Sequence, residues 1–154
     1  DLLEEIIETE DDSLDDDTVI VDVYSKVFLD AVWCDKTQDF KVGEELIPPE
    51  WIKNKQSYFG IIMPDNSMDP EFHKNDCLII REDNKRGKDG LYCVLEKDND
   101  YATIRKLINI NDGIMVMPLN LNGEFKPKTY LKGTLEFESL RILGPVVQVK
   151  RYYD

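Results

Sequence analysis

The residues best placed to do chemistry lie in one short stretch, Pro64-Asp-Asn-Ser67-Met68-Asp69-Pro70, followed by Asn75-Asp76 and the apolar run Cys77-Leu-Ile-Ile80. A serine at the end of an apolar strand, on a tight turn bounded by prolines, is placed for exposure in a cleft rather than for burial in a sheet. The chemistry such a hydroxyl offers is nucleophilic, although Ser-Met-x-Pro is also a plain turn sequence. Partners for a Ser-His-Asp triad are scarce. His73 is the single histidine, and in a polar stretch it reads as a surface side chain, because a histidine base needs a third group to orient it. Cys34, Cys77 and Cys93 are odd in number and widely spaced. They form neither a disulfide framework nor a C-x-x-C clip and read as reduced structural thiols, so no metal and no cofactor is expected.

The elements that must position this serine are strands. Runs rich in β-branched and aromatic residues predict strands at Val19–Val27, Tyr58–Met63, Cys77–Arg81, Leu91–Glu96, Tyr101–Leu107, Ile114–Met117 and Gly144–Tyr152, bounded by Gly, Asn, Asp and Pro clusters. Pro48-Pro49-Glu50-Trp51 and Phe125-Lys-Pro127 read as loops. Seven short strands with little helix between them predict a mainly β, antiparallel fold. At 154 residues and 42% hydrophobic, the chain is long enough for one real core.

The net charge of −13 is unevenly spread: residues 1–17 hold ten acids and no base, whereas residues 18–154 carry 22 acids and 19 bases. Leu2, Leu3, Ile6 and Ile7 suit one face of a short helix, and the acidic run after them repels itself and stays solvated. Residues 1–17 therefore read as a helix end and an interdomain linker, and residues 18–154 as the globular domain. Neither part has the basic surface that phosphate contacts require, so this chain is not expected to bind DNA by itself. No apolar run spans a membrane and no secretory leader is written at the start, so a soluble, cytoplasmic location is expected. Because the chain starts at Asp1 rather than Met, a further part is expected upstream.

Ser67-Met68-Asp69-Pro70 with Asp76 nine residues on resembles the Gly-Asp-Ser-Met-x-Pro…Gly-Asp signature of the LexA, phage-repressor and UmuD peptidase family. Gly90-Leu-Tyr-Cys-Val-Leu resembles that family's next strand, and Ala102-Thr-Ile-Arg105-Lys106-Leu107 the strand carrying Val-Lys-Arg-Leu. Met117-Pro-Leu-Asn120 with Phe125-Lys-Pro127, and Gly144-Pro-Val-Val-Gln-Val-Lys-Arg151, are similar to its closing segments. The likeness runs in order from Val21 to Arg151. It implies a LexA or signal-peptidase-like β fold, dimerisation through this domain, and cleavage of the chain's own linker by a serine nucleophile with a lysine general base.

At that lysine position stands Arg105, which is effectively always protonated and cannot take the serine proton. Lys106 is adjacent, but successive strand side chains point to opposite faces, so it would serve as the base only through a shift of register or a bulge. The family's scissile Ala-Gly, in the pattern Val-Gly-Arg-Val-Ala-Ala-Gly, is matched by Leu29-Asp30 within Tyr24–Asp30, with Ser25 replacing the first glycine. A bulky residue and a charge fit poorly where small residues and close backbone approach are needed. Asp65-Asn66 replaces the Gly-Asp before the serine.

The resemblance with these departures implies the dimerisation and effector domain of a phage- or mobile-element-type transcriptional repressor. It would bind DNA through an upstream helix-turn-helix domain, would not cleave itself, and would be released by a protein antirepressor or inducer. Alternatives are an active Ser67/Lys106 autopeptidase of an SOS-type repressor and a signal-peptidase-like serine protease. The lack of a membrane anchor counts against the latter.

Overall fold

The computed structural model describes residues 18–29, 34–35, 38–85, 87–122 and 124–153. The expected acidic linker 1–17 and Asp30 of the expected cleavage pair lie outside the described residues.

Among the described residues, eleven strands and one short α-helix follow in chain order: β1 (Val19–Tyr24), β2 (Phe28–Leu29), β3 (Cys34–Asp35), β4 (Lys41–Ile47), β5 (Tyr58–Ile62), β6 (Cys77–Arg81), β7 (Gly90–Leu95), β8 (Thr103–Ile110), β9 (Gly113–Met117), β10 (Lys128–Leu131), α1 (Leu135–Ser139) and β11 (Arg141–Lys150). Nine of the strands form one sheet in the order β10-β9-β8-β7-β11-β6-β5-β1-β4, and β2 and β3 make a small separate ribbon. All pairings are antiparallel except that of β1 with β5. The mainly β, antiparallel expectation holds.

The sheet is two halves joined by β11. Arg141–Pro145 pairs with β7, and Val146–Lys150 with β6, with a register shift in each half. Such shifts bend a strand and raise its twist. The halves thereby fold over a shared core, in which Tyr24, Phe59, Ile61, Met68 and Leu78 from one side meet Cys93, Leu95, Ile104 and Leu143 from the other. The opposite faces carry smaller clusters. One, around Leu107, Ile114 and Tyr130, packs on Phe137 of α1 and the following Leu140; the other, around Val21, Val23 and Ile79, packs on Trp51. Strands β6 and β7 are thus apolar on both faces, which explains why their sequences read as continuous runs rather than alternations.

Strands β4 and β10 went unpredicted, and both are sheet edges. Their sequences, Lys-Val-Gly-Glu-Glu-Leu-Ile and Lys-Thr-Tyr-Leu, carry the charged residues that blunt an edge and weaken the apolar signal. Residues Pro49–Ile52, read as loop, form a 3₁₀ turn with Pro49 at its start. The closing strand runs Arg141–Lys150 rather than Gly144–Tyr152. Helix α1 is capped by Thr134, whose hydroxyl accepts the Phe137 N–H.

Candidate functional site

The turn after β5 is built by local main-chain bonds. The Met63 N–H donates to the Asp76 carbonyl at 2.8 Å, and the Asn75 N–H to the Met63 carbonyl at 2.9 Å. Asn75 holds φ at +76°, where the resembled family has glycine; asparagine is among the few other residues that visit this region. The Asp69-Pro70 peptide is cis. Met68 is fully buried in the central core, so it anchors the turn from below.

Asp76 fastens the far end. Its carboxylate accepts the His73 N–H at 2.8 Å and a bidentate pair from Arg151, Nε to Oδ1 at 2.8 Å and Nη2 to Oδ2 at 2.7 Å. The Arg151 guanidinium, helped by the His73 N–H, holds the Asp76 carboxyl below the usual carboxylate range against the opposing effect of burial. The role of Asp76 is structural, since these bonds tie the serine turn to the residue that follows β11.

Ser67 departs from expectation. It has no solvent-accessible surface, whereas its place on a Pro-bounded turn predicts exposure in a cleft. Four hydrogen bonds hold it there. Its N–H donates to Asp65 Oδ1 at 3.0 Å, its carbonyl accepts the N–H groups of Leu119 and Asn120, and its Oγ accepts a hydrogen bond from Arg105 Nη1 at 2.8 Å. The segment after β9 therefore clamps the turn from one side, and the Asn120 side-chain amide adds a bond to the Asn66 carbonyl at 3.0 Å.

Arg105 lies on β8 opposite Tyr92 of β7 and is 8% exposed. Nη1 also donates to the Ile104 carbonyl at 2.7 Å and to Thr103 Oγ1 at 3.3 Å, and the guanidinium stands 5.7 Å from the Phe125 ring centroid. No carboxylate ion-pairs with it among the described residues. Burial lowers its pKa, while the negative potentials of Glu96, Asp65 and Tyr130 act the other way, and arginine remains a cation at neutral pH. Glu96 is itself buried and accepts a 2.6 Å hydrogen bond from Tyr130. Burial and the neighbouring carboxylate push the Tyr130 hydroxyl far above the ordinary tyrosine pKa.

A cleft of about 440 Å³ opens beside Arg105. Thr103 and Arg105 are its buried members, Tyr101 and Phe125 supply rings, and Asp65, Asp98, Asp100 and Glu124 supply carboxylates. Ser67 does not line it; Arg105 does, and covers the serine hydroxyl from that side. Lys106, the alternative base, is exposed on the opposite face of β8, in register with Leu91 and Met117. Upstream, the Ala102 N–H donates to the Val27 carbonyl at 2.8 Å, Phe28 bridges Tyr101, and Leu29 pairs with Cys34. Val27 and Phe28, in the stretch expected from the resemblance to correspond to the cleavage region, thus lie beside Ala102 and Tyr101. The sequence points to Ser67 and Arg105 but not to Glu96, Thr103 and Tyr130, which carry no local signal of their place beside the arginine. Among the described residues no cluster suited to a metal ion occurs.

A serine on a tight turn, an adjoining strand that presents a cation to its hydroxyl, and a two-half β sheet folded around both are the features of a serine-peptidase-like domain. The profile of the Peptidase S24-like family matches residues 22–147, and the chain belongs to that family of LexA/UmuD-like domains. No curated protein matches this chain. No helix among the described residues is long and apolar enough to cross a membrane.

Proposed function

We propose that this chain is the dimerisation and regulatory domain of a transcriptional repressor of the phage or mobile-element kind, that it does not cleave itself, and that a protein antirepressor or inducer controls it. The family supports a LexA/UmuD-type repressor domain in general. The observation carrying the finer reading is the 2.8 Å bond from Arg105 Nη1 to Ser67 Oγ. Self-cleavage needs a base at that place to accept the hydroxyl proton. A guanidinium donates there instead, which ties up an oxygen lone pair and leaves the proton with no acceptor at that position. The full burial of Ser67 supports the same conclusion. DNA contact then belongs to an upstream helix-turn-helix domain, and the domain described here raises the effective concentration of two such binders by pairing chains.

The Ser67/Lys106 autopeptidase finds less support, because Lys106 is exposed on the other face of β8. The signal-peptidase-like reading has no geometric observation in its favour.

The test is mass spectrometry of the full-length protein after prolonged incubation at alkaline pH, with and without an activated recombinase filament. The chain is expected to stay intact, and Ser67→Ala to leave repression and induction unchanged. A fragment beginning at Asp30 that disappears in Ser67→Ala would defeat the proposal.

A further inference from the structure

The cleft beside Arg105 has more charge than the chain itself neutralises. Four of its lining residues are carboxylates. Asp98 is paired with Lys128 at 2.7 Å, whereas Asp65, Asp100 and Glu124 have no ion-pair partner among the described residues. Like charges gathered at a concave, low-dielectric surface focus their field outward and favour a ligand of opposite sign. The rim already attracts the chain's own cations: besides Lys128, the Lys26 ammonium stands 5.2 Å from the Tyr101 ring centroid.

One of the two buried members is of the other sign. Arg105 is more than nine-tenths buried, lines the cleft and has no carboxylate partner among the described residues, and its hydrogen bonds to Ser67, Thr103 and Ile104 all leave from Nη1. An anionic ligand in this cleft would share it with Asp65, Asp100 and Glu124, which have no ion-pair partner among the described residues. A polypeptide satisfies both layers, since its main-chain carbonyls accept from the guanidinium while basic side chains reach the acids around it.

We infer that this cleft binds an extended, lysine- or arginine-rich segment of a partner protein, with a main-chain carbonyl against Arg105 and basic side chains on Asp65, Asp100 and Glu124. The inference rests on the non-cleaving reading of the same site and names the chemistry by which an inducer would be recognised.

The test titrates isotope-labelled full-length protein with capped decapeptides of alternating Lys-Ala, Glu-Ala and Ser-Ala, and follows amide shifts. The Lys-Ala peptide is expected to move Thr103, Arg105 and Phe125, and the Glu-Ala peptide to move none of them. Replacing Asp65→Asn, Asp100→Asn and Glu124→Gln together should weaken Lys-Ala binding by about tenfold, three solvent-accessible ion pairs being lost, that of the half-buried Asp65 among them. Replacing Asp15→Asn, Asp16→Asn and Asp17→Asn should leave the cleft shifts in place and so separate the cleft from the acidic N-terminal run. The shift map of the unmodified chain decides the matter if the cleft triple variant does not fold. Shifts confined to residues outside the cleft, equal binding of the Glu-Ala or Ser-Ala peptide, or undiminished binding by a folded cleft variant would each overturn the inference. A chain that cleaves itself yet shows the cleft shifts defeats the non-cleaving reading alone; one that stays intact and shows none defeats this inference alone.

Discussion

At the residue scale, two polar contacts separate fastening from chemistry. Asp76 is almost fully buried and bonded to Arg151 and the His73 N–H, so removing its carboxylate leaves the turn end without its tie. Asp76→Ala is expected to cost about 1–3 kcal/mol, read from urea midpoints. Its pKa is lowered in the folded state. The stabilisation is therefore fully present above the ordinary carboxylate pKa of about 4 and is lost as pH falls through the lower folded value. The gap between wild type and Asp76→Asn should stay constant from neutrality to about pH 5 and close in stronger acid. Arg105 poses the other kind of question. Arg105→Lys supplies a group able to lose its proton, yet in the proposed reading Leu29-Asp30 stands where the family has a small-residue scissile pair. The single variant is expected to remain uncleaved. With Leu29→Ala and Asp30→Gly added, slow cleavage that quickens with rising pH is expected, visible as a new fragment by mass spectrometry, since base catalysis is worth ~10²–10⁴-fold.

At the element scale, β11 carries the architecture because it changes partners midway. Gly144 sits where the strand pairs with β7, close against the other half. Its φ is +153°, and a Cβ there would stand 1.7 Å from the Arg81 carbonyl oxygen and 2.8 Å from its carbon. These are backbone atoms of β6, which cannot swing aside as a side chain would. Gly144→Ala should therefore reach or exceed the upper end of the ~1–3 kcal/mol typical of overpacking, lowering Tm by about 2–4 °C per kcal/mol. Gly43→Ala on edge strand β4 meets nothing within 4 Å and should change stability by less than about 0.5 kcal/mol. Thermal melts of the two variants compare them directly. A large drop for Gly43→Ala and none for Gly144→Ala would refute this account of the junction.

At the scale of the whole molecule, the end of the chain presents apolar surface that the fold does not cover. Val149, Tyr152 and Tyr153 are exposed, the last two by 72% and 84%, and Tyr152 leans on β4 through a 2.7 Å bond to Glu45. Val146 and Val147, which the sequence places with them, are instead half-buried against the central and the Trp51 clusters. The proposed dimer is expected to use the exposed residues of this set, pairing two copies through the same patch. Light scattering should give twice the monomer mass at micromolar concentration. Val149→Asp with Tyr153→Asp should give the monomer mass without loss of the folded melt.

The sequence by itself determined the fold class and the serine turn, because both are local signals. Apolar runs such as Cys77–Ile80 and Gly90–Leu95 select strands whatever they pack against, and Pro64, Pro70 and Asn75 restrict the backbone at the turn. Its resemblance to the family also led to the expectation that Arg105 stands at the position of the base. Edge strands β4 and β10 were illegible, since an edge buries one face at most and its charges mimic a loop. The tertiary structure alone decided that Ser67 is buried beneath Arg105, that Asp76 is bound to Arg151, that Glu96 and Tyr130 lie within the arginine's electrostatic reach, and that the cleft beside it is acidic. Each of these depends on residues from different strands or turns meeting in the folded sheet, and such proximity is set by strand register and, between the two halves, by the bend of β11, which no local pattern encodes.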